Sequence, residues 1–330
     1  MRIIMKKGII TIAAFCCSLF TISGESSPLY QQTPSPHSTP PQKTIISLEE
    51  YDGLSEPSAP TVFSYTSPEN QLLIYLGTSH VTNLKNSQYA AIDKHWRAFL
   101  ERTKGKPTAI ISETLSGDVS HNGYTSKTEA ITYGADCGYA TWLGETNTIP
   151  VIGAELSHKA VIQQLLKEFD KDKVYYFCFA IAADFWTRYK EKPDLEHFIL
   201  ERVHTWTNDK TITFKHLTGL HKLYTGKSLT TPSKHFFIPL MTLTYHTSYL
   251  ERALTYFYIP TSALNVIYPM LRRSHQIRDE YAFDIISDQW KSGKNIFIVY
   301  GALHAITLKK HLEKLTQQQS AVFHQKHTAK

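Results

Sequence analysis

The sequence predicts an α/β fold: a mostly parallel sheet flanked by helices, with a large all-helical insertion between the two halves of the sheet. Three observations carry this expectation. Residues 72–76, 108–112, 150–154 and 296–300 are short apolar runs without polar alternation, the pattern of strands buried on both faces. Segments of helical spacing separate the first three runs, which gives the order of parallel βαβ units. The stretch 157–290 contains helical patterns and no internal strand signal.

Residues 62–65 read as a short strand leading into the run at 72–76, which ends in Gly77-Thr78-Ser79-His80. Residues 87–104 then have helical spacing, and Gly105 and Pro107 close them. The run at 108–112 is followed at once by Glu113. Residues 115–125, with Gly117 and Gly123, read as a loop long enough to lie over a site. A helix over 128–143 is interrupted by Gly134 and Gly138, and the run at 150–154 ends in Glu155. Helices are expected at 157–170, 174–190, 195–207 and 213–224. The second is apolar nearly all round, as a buried helix is. Residues 228–237 read as a loop, and 250–258 and 261–271 as shorter helices. A last helix at 277–291 begins at Arg278-Asp279, with Asp279 suited to capping. Gly301 stops the final strand, 296–300, and lets the backbone turn before Ala302-Leu303-His304. Residues 308–318 close the fold as an amphipathic helix.

The 42% hydrophobic fraction and 12% aromatic content are ample for a core in 330 residues. The expected organisation is a signal peptide at 1–24, a Ser/Thr/Pro-rich linker at 25–43, one α/β domain at 44–320 and a polar tail at 321–330. Arg2, Lys6 and Lys7 form a basic start, 8–22 an apolar stretch, and Ser23-Gly24 a small-residue cleavage site, so export to the periplasm or beyond is expected. The apolar stretch is short of the ~20 residues a membrane span needs. An uncleaved anchor and lipidation at Cys16 or Cys17 are the competing readings. The formal net charge is +6 over the whole chain. Setting aside the three basic residues of positions 1–24 reduces it to +3, too little to argue for nucleic acid or an anionic membrane. Cys137 and Cys178 remain after the leader, either as a pair or as two buried thiols. The Gly134–Gly138 run lacks the other residues of a phosphate loop.

His80, Glu113, Glu155 and His304 each follow an expected strand. In a parallel sheet all four converge on the carboxyl rim, where open α/β sheets bind ligands. Imidazole and carboxylate together bind divalent metals and relay protons. Arg278 can direct a fixed cation toward a substrate carboxylate or an oxyanion. The remaining histidines, His121, His158 and His246 among them, have no ligand spacing and read as surface residues. A rim histidine buries little area, so His304→Ala is expected to leave the melting temperature of the metal-free protein nearly unchanged.

The two Gly-x-x-His units, Gly77-Thr78-Ser79-His80 and Gly301-Ala302-Leu303-His304, with Glu113, Glu155 and Arg278-Asp279, resemble the TraB/TIKI family and the GumN-like proteins. More distantly they resemble the erythromycin esterase-like and ChaN-like proteins. The resemblance covers 72–155 and 278–312. It implies an α/β fold with a helical insertion and a metal-dependent peptidase. His80, Glu113 and His304 would hold manganese or cobalt, with zinc also compatible with such ligands. Glu113 or Glu155 would carry the proton, and Arg278 would hold charge. The substrate would be a peptide or small molecule. Esterase-like relatives imply water activation without metal, and ChaN-like relatives imply haem binding. The expected function is therefore an exported metal-dependent hydrolase, and the alternative is a ligand-binding or catalytically degenerate interaction protein.

Overall fold

The computed structural model describes residues 59–118, 123–189, 191, 193–226, 228–229 and 261–328. The signal peptide, the linker, the helix expected at 250–258 and most of the loop expected at 228–237 lie outside the described residues. So do the last two residues of the tail.

Six strands form one mixed sheet in the order β1-β2-β6-β3-β5-β4. They are β1 (Thr61–Thr66), β2 (Leu72–Thr78), β3 (Thr108–Leu115), β4 (Gly117–Asp118), β5 (Val151–Glu155) and β6 (Asn295–Gly301). The four central strands, β2, β6, β3 and β5, are parallel neighbours, as their unalternated apolar runs predict. β1 and β4 close the edges antiparallel. β4 falls in the stretch expected to be a loop. Just before it, the end of β3 passes close over Gly153, where a Cβ would stand 2.0 Å from the Leu115 carbonyl oxygen.

Helices cover both faces of the sheet. Helices α1 (Ser87–Arg102) and α2 (Lys127–Asn147) lie on one face, where Tyr89, Ile92, Trp96, Ile131 and Tyr139 meet Ile74, Leu76, Phe297 and Val299. On the other face, α7 (Thr261–Lys291) and α8 (Ala302–Thr328) bring Phe283, Ile286, Trp290, Leu308 and Leu312 against Leu73, Tyr75, Ile296 and Ile298. Alternate residues of one strand thus feed two cores, and neither face is left polar. Burying one such side chain completely is worth about 1.5–3 kcal/mol. Between β5 and β6 the described residues are helical: α3 (His158–Glu168), α4 (Lys171–Arg188), α5 (Leu195–Thr207), α6 (Phe214–Thr225) and α7. Their apolar faces form a third cluster around Phe177, Phe179, Ile199 and Leu217, which also takes Ile277 from α7. Among the described residues no helix is long and apolar enough to cross a membrane.

Two local expectations are corrected. The helices expected at 261–271 and 277–291 are one helix, α7, so Arg278 and Asp279 lie in its interior and Asp279 caps nothing. The polar residues between them are buried rather than looped out. Arg273 is 9% exposed because Glu168 takes its Nε at 2.8 Å and its Nη2 at 3.0 Å, while Glu280 takes its Nη1. α8 begins directly after Gly301, six residues earlier than its apolar periodicity suggests, and runs through most of the expected tail. Of the two readings left open for Cys137 and Cys178, the structure has the second: both are buried thiols, not joined in a disulfide.

Candidate functional site

The parallel pairing of β2 with β6 sets Gly77 beside Tyr300 and Thr78 beside Gly301, so the two Gly-x-x-His units leave adjacent strands one residue out of step. Their glycines answer different needs. A Cβ on Gly77 would meet the Ala302 Cα at 2.9 Å and the Ala305 Cβ at 2.8 Å, so this glycine lets α8 pack on the strand. A Cβ on Gly301 would meet Glu113 Oε2 at 2.8 Å, so this glycine makes room for the carboxylate.

Glu113, 4% exposed, is the centre of the cluster. Its Oε2 accepts the Gly301 backbone amide at 2.8 Å and lies 3.3 Å from His80 Nε2. Its Oε1 accepts from Arg278 Nη2 at 2.8 Å and lies 3.7 Å from His304 Nε2. Each imidazole is fixed from behind. His80 Nδ1 is 2.8 Å from Asp136 Oδ1, and His304 Nδ1 pairs with Asp279 Oδ1. Asp136 also accepts from the Thr78 hydroxyl at 2.5 Å. Arg278 donates through Nε and Nη2 to the two oxygens of Glu155, at 2.5 and 2.8 Å. The Tyr300 hydroxyl donates to the same glutamate at 2.9 Å.

Local structure explains how these side chains arrive. Gln88, in the first turn of α1, accepts the Ser79 amide at 3.0 Å and donates to the Ser79 carbonyl at 2.7 Å, which fixes the residue before His80. The Tyr89 hydroxyl holds the Val81 carbonyl just after it. In α2 the backbone breaks at Ala135, with φ 49° and ψ −137°, and restarts at Asp136. A non-glycine residue at positive φ costs of order 1–3 kcal/mol and persists only where its surroundings enforce it. Here it turns Asp136 toward His80 and Thr78. Gly138 belongs to the same break, since a Cβ there would meet the Ala130 carbonyl oxygen at 2.4 Å.

The buried charges shift one another. Burial pushes the His80 imidazole down, but the Asp136 and Glu113 carboxylates outweigh it and hold the ring well above its ordinary range. The same balance, with Asp279 and Glu113, raises His304. Burial would raise Glu113, yet His80, His304 and Arg278 keep it well below the usual carboxylate range. Counted formally, Glu113, Asp136, Asp279 and Glu155 oppose only Arg278, a net of three negative charges. Two protonated imidazoles, or one dication on neutral imidazoles, bring that to one.

The structure therefore brings together all five residues to which the sequence points: His80, Glu113, Glu155, Arg278 and His304. His304 is corrected in one respect. It is 3% exposed and packed on the Tyr300 ring, so it is no solvent-facing rim residue. The expectation that other histidines lie on the surface holds for His197 and His216 and fails for three others, while His121 and His246 lie outside the described residues. His275 is 3% exposed with its ring 6.2 Å from that of His304, and burial, Arg278 and His304 hold it well below the ordinary range. His221 is buried among aromatic rings, and His158 is half-buried against Phe185 and Trp206. Sequence reasoning missed Asp136, the pairing role of Asp279, Gln88 and Tyr300. The signal for Asp136 was a charged residue set between two glycines in an otherwise apolar helix.

The donor types of His80, Glu113 and His304 suit a divalent ion, although their three ligand atoms do not all lie within 4.8 Å of one another. Two imidazoles offer Nε2 while buried carboxylates hold Nδ1, the arrangement that orients metal-ligating histidines. Donors about 2.0–2.2 Å from a shared ion in tetrahedral geometry lie roughly 3.3–3.6 Å apart. The His80–Glu113 separation of 3.3 Å has that value and exceeds a charge-assisted hydrogen bond. Among the described residues, however, the trio whose ligand atoms all lie within 4.8 Å of one another is His80, Asp136 and Cys137. Compared with known proteins, the chain matches no family model, no curated protein and no solved structure.

Proposed function

We propose that this chain is an exported hydrolase acting on a peptide or ester carbonyl, related to the TraB/TIKI and GumN-like proteins. Its site is the rim cluster around Glu113. The observation that supports it most is the pair of carboxylate-backed imidazoles, Asp136–His80 and Asp279–His304, both presenting Nε2 to one buried glutamate. A purely structural histidine has no need of this repeated device. His80, His304 and Glu113 would hold a divalent ion, with manganese, cobalt and zinc all compatible with these ligands. When bound, such an ion supplies Lewis-acid chemistry, polarising a carbonyl and acidifying a water.

The chain's own residues do the rest. Glu113 is held ionised, which suits a ligand better than a proton acceptor. Glu155 is the more exposed of the two glutamates, at 14% against 4%, and takes the proton of the attacking water. It returns that proton to the leaving amine or alcohol as the carbonyl–heteroatom bond breaks. Arg278 and Tyr300 act as positioning residues, because Arg278 Nε and Nη2 and the Tyr300 hydroxyl are already committed to Glu155 and Glu113. The helices between β5 and β6 form an insertion over the sheet and determine which substrates reach the rim.

One observation favours a metal-free variant of the same reading. Each oxygen of Glu113 faces a different imidazole, so a pair of protons can stand where a dication would. Metal analysis of the purified chain, with peptide-library and ester cleavage before and after chelation, separates the two. Stoichiometric metal and cleavage, both lost in the His80→Ala/His304→Ala double variant, support the metallohydrolase. Cleavage that survives chelation selects the metal-free form. Absence of cleavage together with a Soret band on haem titration replaces the hydrolase with a ligand-binding protein.

A further inference from the structure

We propose that His80, Asp136 and Cys137 form a second metal site, selective for a thiophilic dication such as zinc or cadmium, on the Nδ1 edge of the His80 ring. One ligand atom from each residue lies within 4.8 Å of the others, and both Asp136 and Cys137 are buried. The chain builds this convergence at a cost. The positive φ at Ala135 breaks α2 and restarts it at Asp136, which places two successive side chains, Asp136 and Cys137, at the end of β3. There the Cys137 thiol donates to the Glu113 carbonyl oxygen at 3.4 Å, while Asp136 Oδ1 meets His80 Nδ1 at 2.8 Å.

An orienting role for Asp136 alone would not call for a sulfur donor beside it. Thiolate, imidazole and carboxylate together are a ligand set for zinc and its heavier analogues, whereas manganese prefers harder donors. The Glu113 site contains no sulfur, so the two sites differ in preference.

Binding balances simply. The ion forms bonds to Cys137 Sγ, His80 Nδ1 and an Asp136 oxygen. The thiol proton and the Nδ1 proton leave to solvent, and the ring keeps its remaining proton on Nε2. That Nε2 is the atom facing Glu113 at 3.3 Å. His80 therefore serves one site at a time, and a thiophilic ion on the Nδ1 edge removes a donor from the Glu113 site. This inhibitory consequence rests on the hydrolase reading; the second site itself does not.

The test is titration of the purified chain with cadmium, following the thiolate-to-cadmium charge-transfer band in the ultraviolet. The expected result is a saturable band in the wild type that is lost in Cys137→Ser and kept in Cys178→Ser and in His304→Ala. Cys137→Ala is the second variant if the serine hydroxyl disturbs the buried position, and circular dichroism of each variant confirms folding. No band in the wild type, or a band that survives in a folded Cys137 variant, overturns the proposal. Loss of the band in folded His304→Ala also overturns it, because the ion would then belong to the Glu113 site. None of these readouts involves hydrolysis, so failure here is distinct from failure of the hydrolase reading.

Discussion

Glu113, at the end of β3, accepts the backbone amide of Gly301, at the end of β6, across 2.8 Å. This bond ties the central carboxylate to the strand that carries the second Gly-x-x-His unit. It requires that nothing larger than hydrogen stand on the Gly301 Cα.

Gly301→Ala and Gly77→Ala should consequently fail in opposite ways. At Gly301 the new methyl would press on Glu113 Oε2 at 2.8 Å and on His304 Cδ2 at 3.2 Å, displacing the two side chains proposed as ligands while the core stays intact. Manganese affinity should fall roughly 10–100-fold, as for other changes that disturb ligand orientation, with a small change in melting temperature. At Gly77 the methyl meets backbone, which yields less than a side-chain tip. Stability should drop by about 1–3 kcal/mol there, with metal affinity nearly retained. Calorimetric manganese titrations and urea melts of both variants give the comparison. Equal effects at the two positions would contradict it.

His304→Ala should destabilise the metal-free protein, against the expectation from sequence. The ring is buried and pairs with Asp279, whose Oδ2 has no hydrogen-bond partner among the described residues. Removing it strands a carboxylate that is 1% exposed, a change worth about 3–5 kcal/mol. The double variant His304→Ala/Asp279→Leu should recover much of the loss, because the uncompensated charge goes with it. Chelated urea melts of the two variants check this, and an unchanged midpoint for His304→Ala would show that Asp279 is compensated elsewhere.

Ala135→Gly should stabilise the fold. Glycine accepts φ 49° without the strain that a Cβ brings. Strain relief of about 1–3 kcal/mol competes with about 0.8 kcal/mol for the lost buried methyl, which leaves a gain of about 1 kcal/mol. A rise in the urea midpoint is the expected result. A fall would mean that the break in α2 is held at no cost.

Acid sensitivity should come partly from His221. Burial lowers its pKa from 6.5 to about 4, so the folded ring stays neutral while the unfolded one takes up a proton. Stability is therefore lost as pH falls from about 6.5 toward 4, by an amount of the order of 2 kcal/mol for this group. His221→Phe should flatten the pH dependence by one proton in that window. Urea melts at a series of pH values measure the slope, and an unaltered slope would assign the sensitivity to other buried histidines.

The sheet was legible because its central strands are buried on both faces, and only continuous apolar runs such as 296–300 satisfy that environment. The five site residues were legible because each lies at or just beyond a strand end, or, like Arg278, in the helix leading into the last strand. The partners were not. Asp136 reaches the site through a break at Ala135; Gly134 and Gly138 announce an interruption of the helix, but alanine, the best helix former, does not mark where the backbone turns. Asp279 was placed at a helix start because 261–271 and 277–291 read as separate helices, with polar residues between them. They are instead neutralised in place, as Arg273 is by Glu168 and Glu280. Polarity alone does not separate a loop from a helix whose charges are internally paired.

Helix α7 has the character of a push rod. Ile277 is seated among the helices between β5 and β6, Arg278 and Asp279 reach Glu113 and His304, and Ala282 to Trp290 are seated on the sheet. A helix advances 1.5 Å per residue, so a displacement of that size at the Ile277 end would carry Asp279 by a comparable distance. Only two residues separate the side chain seated in the helical layer from the carboxylate that holds the His304 imidazole.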